Sequence, residues 1–143
     1  MDILRNLSSD FKIYAFQGPS TLESISKLVL FSAIPVPQEF LDIIKTKTEI
    51  EICVGNKKFI RIWGADGCIE MNQAYEIQKY IPNSLAIGDD EDGNAIIYVV
   101  MDEKVSVYSI AFNDLEIDEM IYISKTLEDF LVRKDGLDTI LKM

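Results

Sequence analysis

The spacing of hydrophobic positions along the chain changes at Glu49. Before it, Leu22, Ile25, Leu28 and Val29, then Phe40, Leu41 and Ile44, recur every three or four residues, which puts them on one face of a helix. Ser20-Thr21-Leu22-Glu23 reads as a capping box, with Ser20 accepting from the Glu23 amide and Glu23 reaching back, so a helix is predicted from there to about Phe31. Ile34-Pro35-Val36-Pro37 ends it, and Pro37 suits the first position of a second helix. From Glu49 the period is two. Ile50, Ile52 and Val54 alternate with Glu49, Glu51 and Cys53, and after Gly55-Asn56 the run Phe59-Ile60-Arg61-Ile62-Trp63 alternates again, which predicts a hairpin.

Gly64 ends that strand and Asp66 is a candidate N-cap. Ile69, Tyr75, Ile77, Tyr80 and Ile81 follow at looser helical spacing up to Pro82, predicting a helix with a break inside it. Residues 85–88, 95–101 and 105–112 read as three further strands, and their short links at Asp92-Gly93 and Asp102-Glu103 force antiparallel neighbours. The middle one is apolar on both faces and belongs at the sheet centre with cover on each side. Residues 120–123 make a last short strand. Thr126 caps a final helix carrying Leu127, Phe130 and Leu131 on its apolar side, which Gly136 ends or interrupts. Residues 1–16 fit either a short helix, from Leu4 and Leu7, or a strand, from the aromatic run 11–16. The expectation is one α+β domain over 1–143, an antiparallel sheet of about six strands with N-terminal helices, one inserted helix and a C-terminal helix.

Composition narrows the function classes. The 143 residues include 24 acids, 14 bases and no histidine, for a formal charge of −10. Without histidine there is no Ser-His-Asp triad, no Cys-His dyad, no HExxH zinc site and no imidazole switch. The acidic excess argues against nucleic acid and anionic membranes, which need a Lys/Arg stripe, and favours a basic partner. The longest apolar run is seven residues, 95–101, whereas a bilayer-spanning helix needs about twenty. The start, Met1-Asp2-Ile3-Leu4-Arg5-Asn6, has an early acid and no apolar stretch, so the expected location is cytoplasmic. Cys53 and Cys68 lack a CxxC spacing and are expected to be reduced core fillers. No Walker or GxGxxG loop calls for a nucleotide cofactor, and no cofactor is expected.

The candidate chemistry lies in two acidic clusters. Asp89-Asp90-Glu91-Asp92-Gly93-Asn94 resembles a calcium loop until the EF-hand register is imposed: with Gly93 at position six, Gly88 stands at position one and Val99 at twelve, so the first Asp and the bidentate Glu are missing and no metal is expected. A hairpin turn with Asp92-Gly93 or Gly93-Asn94 at positive φ fits better. Asp114, Glu116, Asp118 and Glu119 form the second cluster. Residues 1–71 hold nine acids and eight bases, whereas 72–143 hold fifteen acids and six, so nearly all the charge is in the second half. These eight acids are the candidate partner-binding residues, positioned to steer a basic protein if the loops share one surface. A paired-carboxylate hydrolase would need two of them in a cleft at a set separation. Trp63 is a core residue or, alternatively, an interface anchor.

In order, these elements resemble the SUKH superfamily, whose best-known branch is the Smi/Knr family of yeast cell-wall regulators and bacterial immunity proteins. The resemblance covers about 20–132. It runs through Ile34-Pro35-Val36-Pro37-Gln38-Glu39-Phe40-Leu41, Ile60-Arg61-Ile62-Trp63, Tyr75-Glu76-Ile77-Gln78-Lys79-Tyr80-Ile81-Pro82, Leu85-Ala86-Ile87-Gly88-Asp89-Asp90 with Gly93-Asn94, and Thr126-Leu127-Glu128-Asp129-Phe130-Leu131. The family's loop after the Ile-Gly strand is usually glycine-rich, and here Glu91 and Asp92 stand where glycines are common; at positive φ, Asp92 fits better than Glu91. The resemblance implies a binding protein rather than an enzyme, an immunity protein that neutralises a cognate toxin, often a nuclease. Its alternative implication is an intracellular regulatory scaffold with signalling or cell-wall partners.

Overall fold

The computed structural model describes residues 1–143. The alternating runs form β1 (Phe11–Gln17), β2 (Thr48–Val54), β3 (Lys58–Ile62), β4 (Ser84–Asp89), β5 (Asn94–Met101), β6 (Lys104–Ala111) and β7 (Ile121–Ser124). All seven join one antiparallel sheet in chain order. The helices are α1 (Leu22–Phe31), α2 (Gln38–Ile44), α3 (Ala65–Ala74), α4 (Ile77–Tyr80), α5 (Leu127–Leu131) and α6 (Leu137–Leu141). The α+β class holds, with seven strands rather than about six. The additional strand comes from residues 11–17, while Leu4 occupies a 3₁₀ turn, so both N-terminal readings are realised in different segments.

β2 shows the alternation most plainly: Thr48, Ile50, Ile52 and Val54 are buried and the residues between them only half-buried. Gly55 and Asn56 both take positive φ, as a tight hairpin turn with the strands' own twist requires. β5 is an inner strand buried on both faces, with Ala95, Ile96, Ile97, Tyr98 and Val99 all at 1% exposure or less. On one face Tyr98 packs edge-on against Phe40 of α2 and donates its hydroxyl to Glu39 at 2.8 Å. Glu39 also accepts from the Leu127 and Glu128 amides at 2.7 and 3.1 Å, so one carboxylate joins α2, β5 and the start of α5. Thr126 caps α5 as expected, accepting from the Asp129 amide at 2.9 Å. Gly136 interrupts the chain at φ 82° and α6 follows.

Three helix-level expectations are corrected. The N-cap of α1 is Thr21, which accepts from the Ser24 amide at 3.0 Å, whereas the Ser20 hydroxyl accepts from the Ala65 amide at 3.0 Å and serves α3, 45 residues on. Gly64, not Asp66, is the N-cap of α3, and its amide donates to Glu49 at 2.8 Å. α1 buries Ile25 and Leu28 only, leaving Leu22 78% and Val29 49% exposed. The expected break in the third helix falls at Tyr75–Glu76, where Glu76 adopts φ 52° and separates α3 from α4.

β3 meets β4 over only two residue pairs, Arg61–Asp89 and Ile62–Gly88. The strands come so close there that a Cβ on Gly88 would collide with the Arg61 carbonyl oxygen. Beyond this point β3 gives way to α3, and the edge of β4 at Ala86 would be left open. Asn72 closes it. Its Oδ1 accepts from the Ala86 amide at 3.0 Å and its Nδ2 donates to the Ala86 carbonyl at 2.8 Å, so a helical side chain makes the bonds of a neighbouring strand. Gln78 continues the edge, its Nε2 donating to the Ser84 carbonyl at 3.1 Å and to Asn72 Oδ1 at 2.9 Å.

Truncating Asn72, which is 1% exposed, strands a buried donor and acceptor together. Asn72→Ala is expected to lower unfolding free energy by about 2–4 kcal/mol in urea titration. Asn72→Asp, which turns an oxygen toward the Ala86 carbonyl, is expected to cost at least as much at pH 7.

Candidate functional site

The β4–β5 hairpin uses three of its four acids internally. Asp89 Oδ2 accepts from the Trp63 indole at 2.8 Å and Oδ1 from the Glu91 amide at 2.8 Å. Trp63 is therefore a core residue, 2% exposed and stacked near Phe112, with its polar edge turned to the loop. Asp90 is 3% exposed. It accepts from the amides of Asp92 and Asn94 at 2.9 and 3.0 Å and from Asn94 Nδ2 at 2.8 Å, while Lys58 Nζ lies 3.7 Å away. Those bonds fold the turn around the carboxylate, an Asx-type arrangement in which the acid replaces missing backbone partners.

Glu91 takes φ 55°, the left-handed conformation that glycine adopts without cost. It is held there by the bond from its amide to Asp89 and by Arg61, whose Nη2 reaches Glu91 at 3.2 Å and Glu51 at 2.9 Å. Partial desolvation, followed by the neighbouring Glu51 carboxylate, raises the Glu91 pKa above its ordinary value against the opposing pull of Arg61. Asp92 is the loop's one acid that is exposed and free of side-chain partners.

The second acidic segment adjoins the first. Antiparallel pairing sets Asn94 opposite Ala111, and the Phe112 amide donates to the Gly93 carbonyl at 2.9 Å, so the chain leaving β6 runs beside the hairpin tip. Asp114, Glu116, Asp118 and Glu119 are exposed along it, the last two in a 3₁₀ turn, and none of the four makes a salt bridge. The structure thus brings both clusters to one end of the sheet. It leaves Asp92, Asp114, Glu116, Asp118 and Glu119 unpaired and commits Asp89, Asp90 and Glu91 to shaping the loop.

Elsewhere the acids and thiols have structural surroundings. Burial, with Glu49 nearby, pushes the Cys68 thiol far above its usual range, so it stays protonated at neutral pH. Cys53 is free and half-buried on β2. No group of three or more Asp, Glu, Cys or His side chains is arranged to hold a metal ion, and no helix is long and apolar enough to cross a membrane.

Sequence reading overlooked the cleft beside the second loop. Tyr75 and Tyr80, expected on the apolar side of the interrupted helix, are 42% and 49% exposed on either side of the break at Glu76. They line a cleft of about 450 Å³ with Phe112, Asp114 and Glu116. An acid flanked by two tyrosines in Tyr75-Glu76-Ile77-Gln78-Lys79-Tyr80, next to a predicted break, was the available signal.

A seven-stranded antiparallel sheet with helical cover, ending in two adjoining acidic loops over an aromatic cleft, defines a small α+β domain whose most distinctive surface is electrostatic. Residues 19–133 match the SMI1 / KNR4 family (SUKH-1), and the chain belongs to that family. No curated protein matches the chain.

Because folding raises the Glu91 pKa, ionised Glu91 subtracts from stability at neutral pH, and that penalty fades as pH falls through the carboxylate range and the group protonates. Glu91→Gln is therefore expected to be at least as stable as the parent at pH 7, with the difference shrinking toward pH 4 in thermal melts. Glu91→Gly, which also relieves the left-handed backbone, is expected to gain about 0.5–1 kcal/mol at pH 7 after the entropy of a freer unfolded chain is subtracted.

Proposed function

We propose that this protein is a non-enzymatic immunity protein that binds and neutralises a cognate protein toxin, basic in charge, in the cytoplasm. The observation that carries the reading is the adjacency of the two acidic loops through the Phe112–Gly93 bond, in a chain of the SMI1 / KNR4 family. Five carboxylates without a cation at one end of the sheet produce a negative potential that a basic surface would neutralise. A nuclease is the toxin class this suits, because a site built for phosphate is rich in Lys and Arg, and a carboxylate surface covers it as a substrate backbone would. In this reading Asp92, Asp114, Glu116, Asp118 and Glu119 face the partner. Asp89, Asp90 and Glu91 hold the hairpin in shape behind them.

Coexpression with the toxin domains encoded beside its gene tests the reading: one of them is expected to become non-toxic and to copurify with this chain. Failure to rescue growth or form a complex with any of them overturns it. Replacing Asp92, Asp114, Glu116, Asp118 and Glu119 by Asn or Gln is expected to slow association by at least about tenfold at low salt and to flatten its salt dependence, since exposed charges act chiefly on the on-rate. Unchanged association kinetics would remove these loops from the interface.

A further inference from the structure

The cleft between α4 and the chain leaving β6 has a floor of aromatic rings and a rim of acids. Tyr75 and Phe112 lie with centroids 4.3 Å apart at 31°, and Trp63 backs Phe112 at 6.5 Å with a 24° tilt, so the ring faces form a short stack reaching from the core to solvent. Glu76, Tyr80, Asp114 and Glu116 also line it. Next to the cleft the chain already sets one cation against two of its lining residues: Lys79 Nζ lies 5.4 Å from the Tyr80 centroid and 3.5 Å from Glu76. Lys79 and Glu76 are both well exposed, so this resident pair is weak and readily exchanged. Asp114 and Glu116 have no cation of their own.

The geometry points to an arginine side chain of a basic protein partner as the occupant of this cleft. A planar guanidinium stacks flat on ring faces and keeps several edge N–H groups free for carboxylates, whereas an ammonium is a compact, more strongly hydrated point charge with no flat face to stack. The guanidinium would lie against Tyr75 and Tyr80, displace Lys79 from the Tyr80 face, and donate to Asp114 and Glu116. This inference rests on the immunity reading for the partner's identity, but the cleft's preference for arginine is a property of this chain alone.

The test is an NMR titration of the ¹⁵N-labelled full chain with acetyl-Gly-Arg-Gly-amide, alongside the lysine peptide and the isosteric neutral citrulline peptide. The arginine peptide is expected to shift the amides of Tyr75, Tyr80, Phe112 and Leu115 saturably, with a Kd of about 10–50 mM, in keeping with one cation–π contact and exposed ion pairs. Citrulline is expected to bind at least about fivefold more weakly, and Glu116→Gln to weaken arginine about threefold. Lys79→Met removes the resident cation and is expected to tighten binding about two- to fivefold, while Lys45→Met, the same charge change at the C-terminal end of α2, leaves it within a factor of about 1.5. Equal binding of arginine and citrulline, shifts spread over the acidic loops without saturation, or equal effects of the two lysine substitutions would overturn the proposal. If the cleft fails while a toxin complex still depends on the five exposed carboxylates, the arginine site falls and the immunity reading stands. If arginine binds selectively but no toxin is neutralised, the arginine site stands and the immunity reading falls.

Discussion

Where β3 parts from β4, a sheet edge opens in the middle of the protein, and one side chain closes it. Buried amide and carbonyl groups need partners, and the strand that would have supplied them has turned into a helix. Asn72 offers a donor and an acceptor on one planar amide, the pairing a strand residue presents, at 2.8 and 3.0 Å. The demand on geometry is strict, because the amide must face Ala86 from a helix one turn beyond Cys68, whose carbonyl it also engages at 2.7 Å. With α3 locked to that edge, Gln78 aligns α4, the break at Glu76 is fixed between them, and Tyr75 and Tyr80 are delivered to the surface. The aromatic cleft is thus a product of how the sheet is finished.

Acidic side chains do two kinds of work in this fold. Glu39 collects the Tyr98 hydroxyl and two amides at the start of α5, Glu49 satisfies the amide of Gly64 at the N-cap of α3, and Asp90 organises a hairpin from within. In each case a carboxylate accepts from backbone donors that would otherwise be unpaired, a charge-assisted bond stronger than its neutral counterpart. The net charge of −10 therefore overstates the field available to a partner. What projects outward is the smaller set on the β4–β5 tip and the segment after β6, concentrated by the bond that holds the two side by side.

Much of the architecture could be read directly from the chain because period and turn chemistry are local. The β2–β3 hairpin, the doubly buried β5 and the Thr126 cap all follow from neighbours within a few residues. Even the closeness of the two acidic loops was implicit, since a two-residue link between β5 and β6 brings residue 94 opposite 111. What could not be read was the use of polar groups across long separations. Ser20 and Thr21 are equally good caps by type, and only the arrival of Ala65 decides that Ser20 serves another helix. Asp89 looks like a free surface acid until Trp63, 26 residues earlier, donates to it. Leu22 and Val29 keep helical spacing but lie at the margin of a face that only Ile25 and Leu28 bury.

Lys58 joins regions that the chain separates by half its length. Its Nζ donates to the carbonyls of Ile140 and Met143 at 3.0 and 3.4 Å while lying 3.7 Å from Asp90, with only 14% of the side chain exposed. One ammonium thus serves the negative end of α6 and the carboxylate inside the acidic hairpin together. Docking of the last helix and order in that hairpin are consequently coupled through one side chain. An event that peels α6 from the body would be felt some fifty residues earlier in the chain, as a loosening of the turn around Asp90.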